Sequence, residues 1–137
     1  MALRKDAKIE LMRRVPLFAG CSKRELGEIA RLADELDLPA GRVLIRQGER
    51  GREFFVLADG TVEVSRDGES SSLGAGDFFG EIALLSDVPR TATVTSTSPV
   101  RVLVITDRAF RNVLEQSPEI QLKVLEALAQ RLAPQVL

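Results

Sequence analysis

Between Gly80 and Thr91 the sequence reads GEIALLSDVPRT, a largely apolar run with an acid, Glu81, near its start and a base, Arg90, nine residues later. Arg90 follows Pro89, which stiffens the chain, and its planar fork matches phosphate oxygens bidentately. Gly74, Gly76 and Gly80 precede a stretch, 81–85, that reads as a short helix. Glycine permits close backbone approach and positive φ, and a helix start presents N–H groups without intrahelical partners. Backbone amides, a fixed cation and the hydroxyls of Thr91 and Thr93 suit an anion. The carboxylate of Glu81 would repel that anion but accepts hydrogen bonds from sugar hydroxyls. Together they suit a ligand with one modest negative charge beside a hydroxyl, such as a nucleotide monophosphate. The pattern G-x-x-x-x-G-K-[ST] is missing, which speaks against nucleoside triphosphates. On composition and spacing alone, a plain ion pair between Glu81 and Arg90 is the stronger account. Turn geometry accounts for Gly74 and Gly76, Gly80 is expected to serve both turn and ligand, and β-propensity competes evenly for Thr91.

These residues need elements to position them. Residues 5–14 read as a short helix with Ile9 and Met12 one turn apart, broken by Pro16 and Gly20. Ser22-Lys23-Arg24-Glu25 has the form of a capping box, and Leu26, Ile29, Ala30 and Ala33 continue at helical spacing, predicting a helix over 22–33. From Leu36 to Ile105 the period changes to two. Val43 and Ile45, Val62 and Val64, and Val100, Val102 and Val104 each alternate with their neighbours. Asp59-Gly60 and Asp67-Gly68 are hairpin signals. The tail returns to helix: 106–116 carries Phe110, Val113 and Leu114. Ser117-Pro118-Glu119 then supplies a cap, a first-turn proline and an acid. Ile120, Val124, Leu125, Leu128 and Leu132 form a broad apolar face, and Pro134 is expected to end that helix. The predicted fold is mainly β with flanking helices, an antiparallel β-roll or jelly roll in one domain over 1–137. Its parts are a helical lead-in (5–33), the roll (36–105) and C-terminal helices (106–133).

Composition narrows the function classes. The chain has 137 residues, 45% hydrophobic and 28% charged, enough for one packed core without covalent staples. Its net charge of −1 provides no general field for nucleic acid. The chain contains no histidine and a single cysteine, Cys21. That removes Ser-His-Asp and Cys-His catalysis and histidine-based metal sites, and leaves no intrachain disulfide. No apolar window approaches the roughly 20 residues of a membrane span, and the N-terminus has no signal-peptide core. The expected setting is cytoplasmic, without a metal, direct nucleic-acid binding or membrane contact. The bases Arg101, Arg108, Arg111 and Lys123 read as solvated surface.

The string FGEIALLSDVPRTATV resembles the phosphate-binding cassette (here 79–94) of cyclic nucleotide-binding domains, found in kinase regulatory subunits, cyclic nucleotide-gated channels and catabolite activator-type transcription factors. The pattern F-G-E-x-A-L followed by P-R-[TA]-A-T-V is complete. The stretches GRVLIRQGERGREFFVLADGTVEV (41–64) and VPLFAGCSKRELGEIA (15–30) are similar to the family's first strands and helical lead-in. The resemblance implies a regulatory module rather than an enzyme, binding a cyclic nucleotide, with cyclic AMP ranked ahead of cyclic GMP. It implies that Gly80 brings backbone to the ribose-phosphate ring and that Glu81 accepts from the ribose 2′-hydroxyl. The amides of Ile82 and Ala83 would face the phosphate, Arg90 would neutralise it and Thr91 would touch it. Val62 and Val64 would contribute to a base pocket. It further implies a C-terminal helix that closes over the base and signals to a homodimer partner or effector protein, for which Ile120, Val124, Leu128 and Leu132 offer a face. No winged helix-turn-helix follows that helix, and no kinase, channel or acyltransferase segment accompanies it. Output in trans, or membership of a longer chain, is the expectation. Two alternatives stand: a β-roll scaffold that binds only protein partners, and a cupin-like small-barrel enzyme, against which the missing histidine weighs.

Overall fold

The computed structural model describes residues 2–136, with side chains described for 2–130. Helix α1 (Lys5–Arg13) buries Ile9 and Met12, and a 3-10 turn at Pro16–Phe18 buries Leu17 and Phe18. Helix α2 (Lys23–Ala30) opens on the complete capping box: Glu25 N–H donates to Ser22 Oγ (3.2 Å), and Ser22 N–H donates to Glu25 Oε1 (2.8 Å). It stops at Ala30, short of the expected 33. Two tight turns, Leu32 N–H to Ile29 O and Ala33 N–H to Ala30 O, lead straight into the first strand at Asp34.

Two antiparallel four-stranded sheets follow. One has the order β1 (Asp34–Leu38), β8 (Val100–Thr106), β3 (Glu53–Asp59), β6 (Phe78–Phe79). The other has the order β2 (Val43–Ile45), β7 (Thr93–Ser96), β4 (Val62–Arg66), β5 (Glu69–Leu73). Asp67-Gly68 makes the β4–β5 hairpin, with φ of 51° and 85°, the two positive values that a type I′ turn needs. Asp59-Gly60 makes no hairpin. β3 pairs with β6 and β8 while β4 pairs with β5 and β7, so this turn carries the chain from one sheet to the other.

The predicted one-sided burial of the 100–105 strand also gives way. Val102, Leu103, Val104 and Ile105 are all buried, because β8 is central and separates two cores. Leu103 and Ile105 pack with Phe54, Val56, Phe18 and Phe110 under the helices. Val100, Val102 and Val104 pack with Phe55, Leu57 and Val94 between the sheets. Val43 and Ile45 do not share a face: a register irregularity separates them, leaving Val43 exposed and Ile45 buried.

Helix α3 (Asp107–Gln116) is capped by Thr106. Helix α4 (Pro118–Val136) is capped by Ser117 Oγ, which accepts from Ile120 N–H, and its backbone continues past Pro134 instead of ending there. The side chain of Leu132 lies outside the described residues. Ile120 and Val124, expected to leave room for a partner, are consumed by the chain's own core, while Leu122 and Leu125 point outward. Lys123 and Arg101 are not simple solvated bases. Lys123 Nζ pairs with Glu25 Oε1, tying α4 to the start of α2, and Arg101 Nε donates to Asp37 Oδ1 at 2.8 Å. Among the described residues no helix is long and apolar enough to cross a membrane.

Candidate functional site

Gly80 ends the short strand β6 in a left-handed conformation (φ 83°) and caps a 3-10 helix over Glu81–Leu84. A Cβ here would strain the backbone and sit 2.8 Å from Arg90 Nη1. In a 3-10 helix capped at Gly80, the first amide with an acceptor inside the turn is the third, and Ala83 N–H bonds Gly80 O at 3.2 Å. The amides left over by helix geometry are therefore those of Glu81 and Ile82. Of the two amides expected to face the phosphate, that of Ala83 is bonded to Gly80 O, while helix geometry gives that of Ile82 no acceptor inside the turn. The methyl of Ala83 is buried against the cavity wall and the Ile82 side chain is 52% exposed at the rim.

Arg90 comes from a loop bound along its main chain to the turn between β2 and β3. Arg90 N–H donates to Glu49 O (2.8 Å) and Gly48 N–H donates to Arg90 O (2.9 Å). Arg50 Nη1 adds an ion pair with Asp87 at 2.6 Å. The Arg90 side chain turns inward: Nη2 donates to Glu53 O (2.6 Å) and Nη1 to Gly80 O (3.4 Å). Both acceptors are neutral carbonyls. The ion pair with Glu81 suggested by spacing does not form, and Arg90 makes no salt bridge among the described residues. Burial pushes its guanidinium below the usual range, with the Glu53 carboxylate opposing that shift. A guanidinium remains protonated at neutral pH despite such a shift. The result is a half-buried cation with two of its five N–H donors committed to neutral oxygens.

This cation opens on a cavity of about 260 Å³, near the lower end of small-ligand pockets at roughly 300–1,000 Å³. The cavity brings together Gly80, Glu81, Ile82, Ala83, Arg90 and Thr91, all anticipated from the sequence. Glu81 Oε2 is buried, and Thr91 is exposed on the bend before β7. Thr93 does not line the cavity, and its hydroxyl accepts from Gln47 N–H at 3.0 Å. Val64 lines the apolar end, but Val62 does not: it is fully buried between the sheets, next along β4 on the same face. Ile45, Phe79, Val88, Ala92 and Val94, which were not foreseen as site residues, complete the wall together with Pro89. Phe79, Ala92 and Val94 stand inside the cassette motif itself, although the sequence reading gave them no role in the site. Ile45 arrives from a strand whose irregular pairing is invisible in the sequence. One end of the hollow is thus cationic and amide-bearing, the floor carries a carboxylate, and the remainder is apolar. That arrangement can bind a small anion with hydroxyls and a flat apolar part.

Comparison with known proteins agrees. Residues 35–117 match the family model of the cyclic nucleotide-binding domain. A cyclic nucleotide-gated potassium channel of Rhizobium etli is 40% identical over 111 residues, covering 81% of this chain and 31% of that protein. Among solved structures, the N-terminal domain of a transcriptional regulator from Streptomyces coelicolor superposes with a TM-score of 0.84 at 30% identity, covering 92% of this chain and 94% of that one. The regulatory domain of Toxoplasma gondii PKA, solved with cAMP, superposes with a TM-score of 0.72 at 31% identity, covering 79% of this chain and 43% of that one. The chain therefore spans under half the length of the channel and kinase relatives.

Proposed function

Because the chain belongs to the cyclic nucleotide-binding domain family, we propose that it is a cyclic AMP sensor: a non-catalytic module whose ligand occupancy is read out through α4. The observation that carries this reading is the Arg90 guanidinium, half-buried beside an open cavity and bonded, among the described residues, to two neutral carbonyls. Placing a charge away from water is costly unless a counter-charge accompanies it, and the cyclic phosphate supplies one. Arg90 and the Ile82 amide bind the phosphate, with Thr91 beside them. Gly80 lets the backbone approach the sugar-phosphate ring, and Glu81 accepts from the ribose 2′-hydroxyl. Val64, Ile45 and Val94 line the apolar end and face the base. Relatives solved with cAMP favour cyclic AMP over cyclic GMP. A ligand-free scaffold has no observation in its favour.

Signalling requires an arrangement of α4 that the ligand binds better than another, with a coupling of about 1–3 kcal/mol typical of such modules. The outward face of α4, Leu122 and Leu125 at 57% and 60% exposed, is the surface offered to a second copy or an effector helix. The buried, unpaired Cys21 fits a cytoplasmic setting. The deciding experiment is a thermal-denaturation panel with cyclic AMP, cyclic GMP and AMP. A ligand present at a hundred times its dissociation constant stabilises the native state by about 2.7 kcal/mol. Cyclic AMP is expected to raise the melting temperature most and AMP least. Indifference to both cyclic nucleotides refutes the sensor.

A further inference from the structure

Arg90 lies against a glycine that sequence reasoning passed over. A Cβ built on Gly51 would overlap Nε, Cζ and Nη2 of Arg90, three atoms of one guanidinium, well inside van der Waals contact. Six other glycines have positive φ and need their residue type for backbone conformation; Gly51 is not among them. Its φ lies outside the left-handed region that favours glycine, so what demands glycine at 51 is the space that the guanidinium takes. A Cβ at Gly80 would sit 2.8 Å from the remaining guanidinium nitrogen, Nη1. The guanidinium therefore lies in a slot between two bare backbones, and carbonyls at the slot's edges, Glu53 O and Gly80 O, accept from its two Nη atoms. The same turn that provides Gly51 also holds the Arg90 main chain through Glu49 O and Gly48 N–H.

We propose that Gly51 is a positioning residue for the ligand: the side chain it lacks makes the slot that aims Arg90 into the cavity before any nucleotide arrives. A flexible arginine fixed in advance has less freedom to lose on binding, which is how preorganisation strengthens affinity. The proposal rests on the sensor reading for its consequence in binding, but not for the slot itself.

The test is a double-mutant cycle on Gly51→Ala and Arg90→Ala, with cyclic AMP affinity measured by calorimetry. The ligand-free proteins are compared by the 15N–1H resonance of the Arg90 Nε–H, assigned by its disappearance in Arg90→Ala. In the Arg90 background, Gly51→Ala is expected to weaken cyclic AMP binding by about ten- to a hundredfold, less than the full loss of a desolvated charged contact because the guanidinium is displaced and not removed. In the Arg90→Ala background it is expected to change nothing. The Nε–H resonance is expected to move toward that of a solvated arginine in ligand-free Gly51→Ala. An unchanged affinity in Gly51→Ala, or an equal loss in both backgrounds, overturns the proposal while leaving the sensor intact. If the parent protein binds no cyclic nucleotide, the sensor falls, and the resonance alone decides the slot: a shift supports it and no shift overturns it. Should Gly51→Ala fail to fold, adding Arg90→Ala empties the slot and is expected to restore folding; failure to restore it overturns the proposal.

Discussion

At Arg90 a half-buried guanidinium rests on the carbonyl oxygens of Glu53 and Gly80, and among the described residues no acid is bonded to it. A bound phosphate would answer its charge, so Arg90→Ala is expected to weaken cyclic AMP binding by about 2–5 kcal/mol, tens- to thousands-fold in affinity by calorimetry. Arg90→Lys keeps the charge but loses the fork that spans both carbonyls, and should fall between the two. Glu81 acts on a different part of the ligand. Removing one hydrogen bond to a charged group costs about 1.5–3 kcal/mol, so Glu81→Ala should be the milder lesion. The 2′-deoxy analogue of cyclic AMP lacks the hydroxyl that Glu81 would hold. Its affinity should be nearly the same for the parent protein and Glu81→Ala; a full-sized loss with that analogue would sink the assigned role.

Helix α2 begins on a capping box that also anchors α4. Glu25 Oε1 accepts from Ser22 N–H and from Lys123 Nζ, so one carboxylate oxygen serves two helices. Ser22→Ala removes the reciprocal cap and is expected to cost about 0.5–2 kcal/mol in denaturant unfolding. The bond from Lys123, then the Ser22 N–H, hold the Glu25 carboxyl below the usual carboxylate range. A depressed acid stabilises the fold above its unfolded pKa, near 4.3, and loses that contribution as pH falls through the lower folded value. Lys123 is shifted upward by the same bond, so its contribution is present below about 10.4 and fades as pH rises through its folded value. Stability measured from pH 7 down to pH 2 should therefore converge for the parent and Glu25→Gln at the acid end and separate above about pH 5. Parallel curves across that range would show that the bond between α2 and α4 contributes nothing.

The whole molecule is organised by two strands, β3 and β8, that are buried on both faces. One face meets the helices and the other meets the second sheet, so the helical core and the core next to the cavity share a common wall. Phe110 of α3 sits in the helical core, fully buried, with its ring 5.6 Å from that of Phe18. Phe110→Ala is expected to destabilise the protein by about 3–5 kcal/mol, read as a lower melting temperature. Cyclic AMP at a hundred times its dissociation constant should return about 2.7 kcal/mol of that loss. A variant that melts like the parent protein would mean that α3 does not pack as described.

Features set by neighbours in the chain were legible without coordinates. The Ser22–Glu25 box, the Asp67-Gly68 hairpin and the Ser117-Pro118 helix start depend on contacts a few residues apart, so residue type and spacing determine them. The segment from Gly80 to Thr91 was legible for the same reason, since one loop and one helical turn carry most of the charged end of the cavity. Features that depend on which surface covers which were decided only by tertiary structure. Asp59-Gly60 has the composition of a hairpin but crosses between sheets. Val62 and Val64 share a face of β4, yet one is sealed in the core and the other lines the cavity. The apolar face of α4 is divided by what happens to pack against it. Arg90 finds its acceptor on Glu53, 37 residues away, and Lys123 finds Glu25 across 98. Periodicity records that a residue prefers burial or a partner; only the packed chain determines which distant atoms supply it.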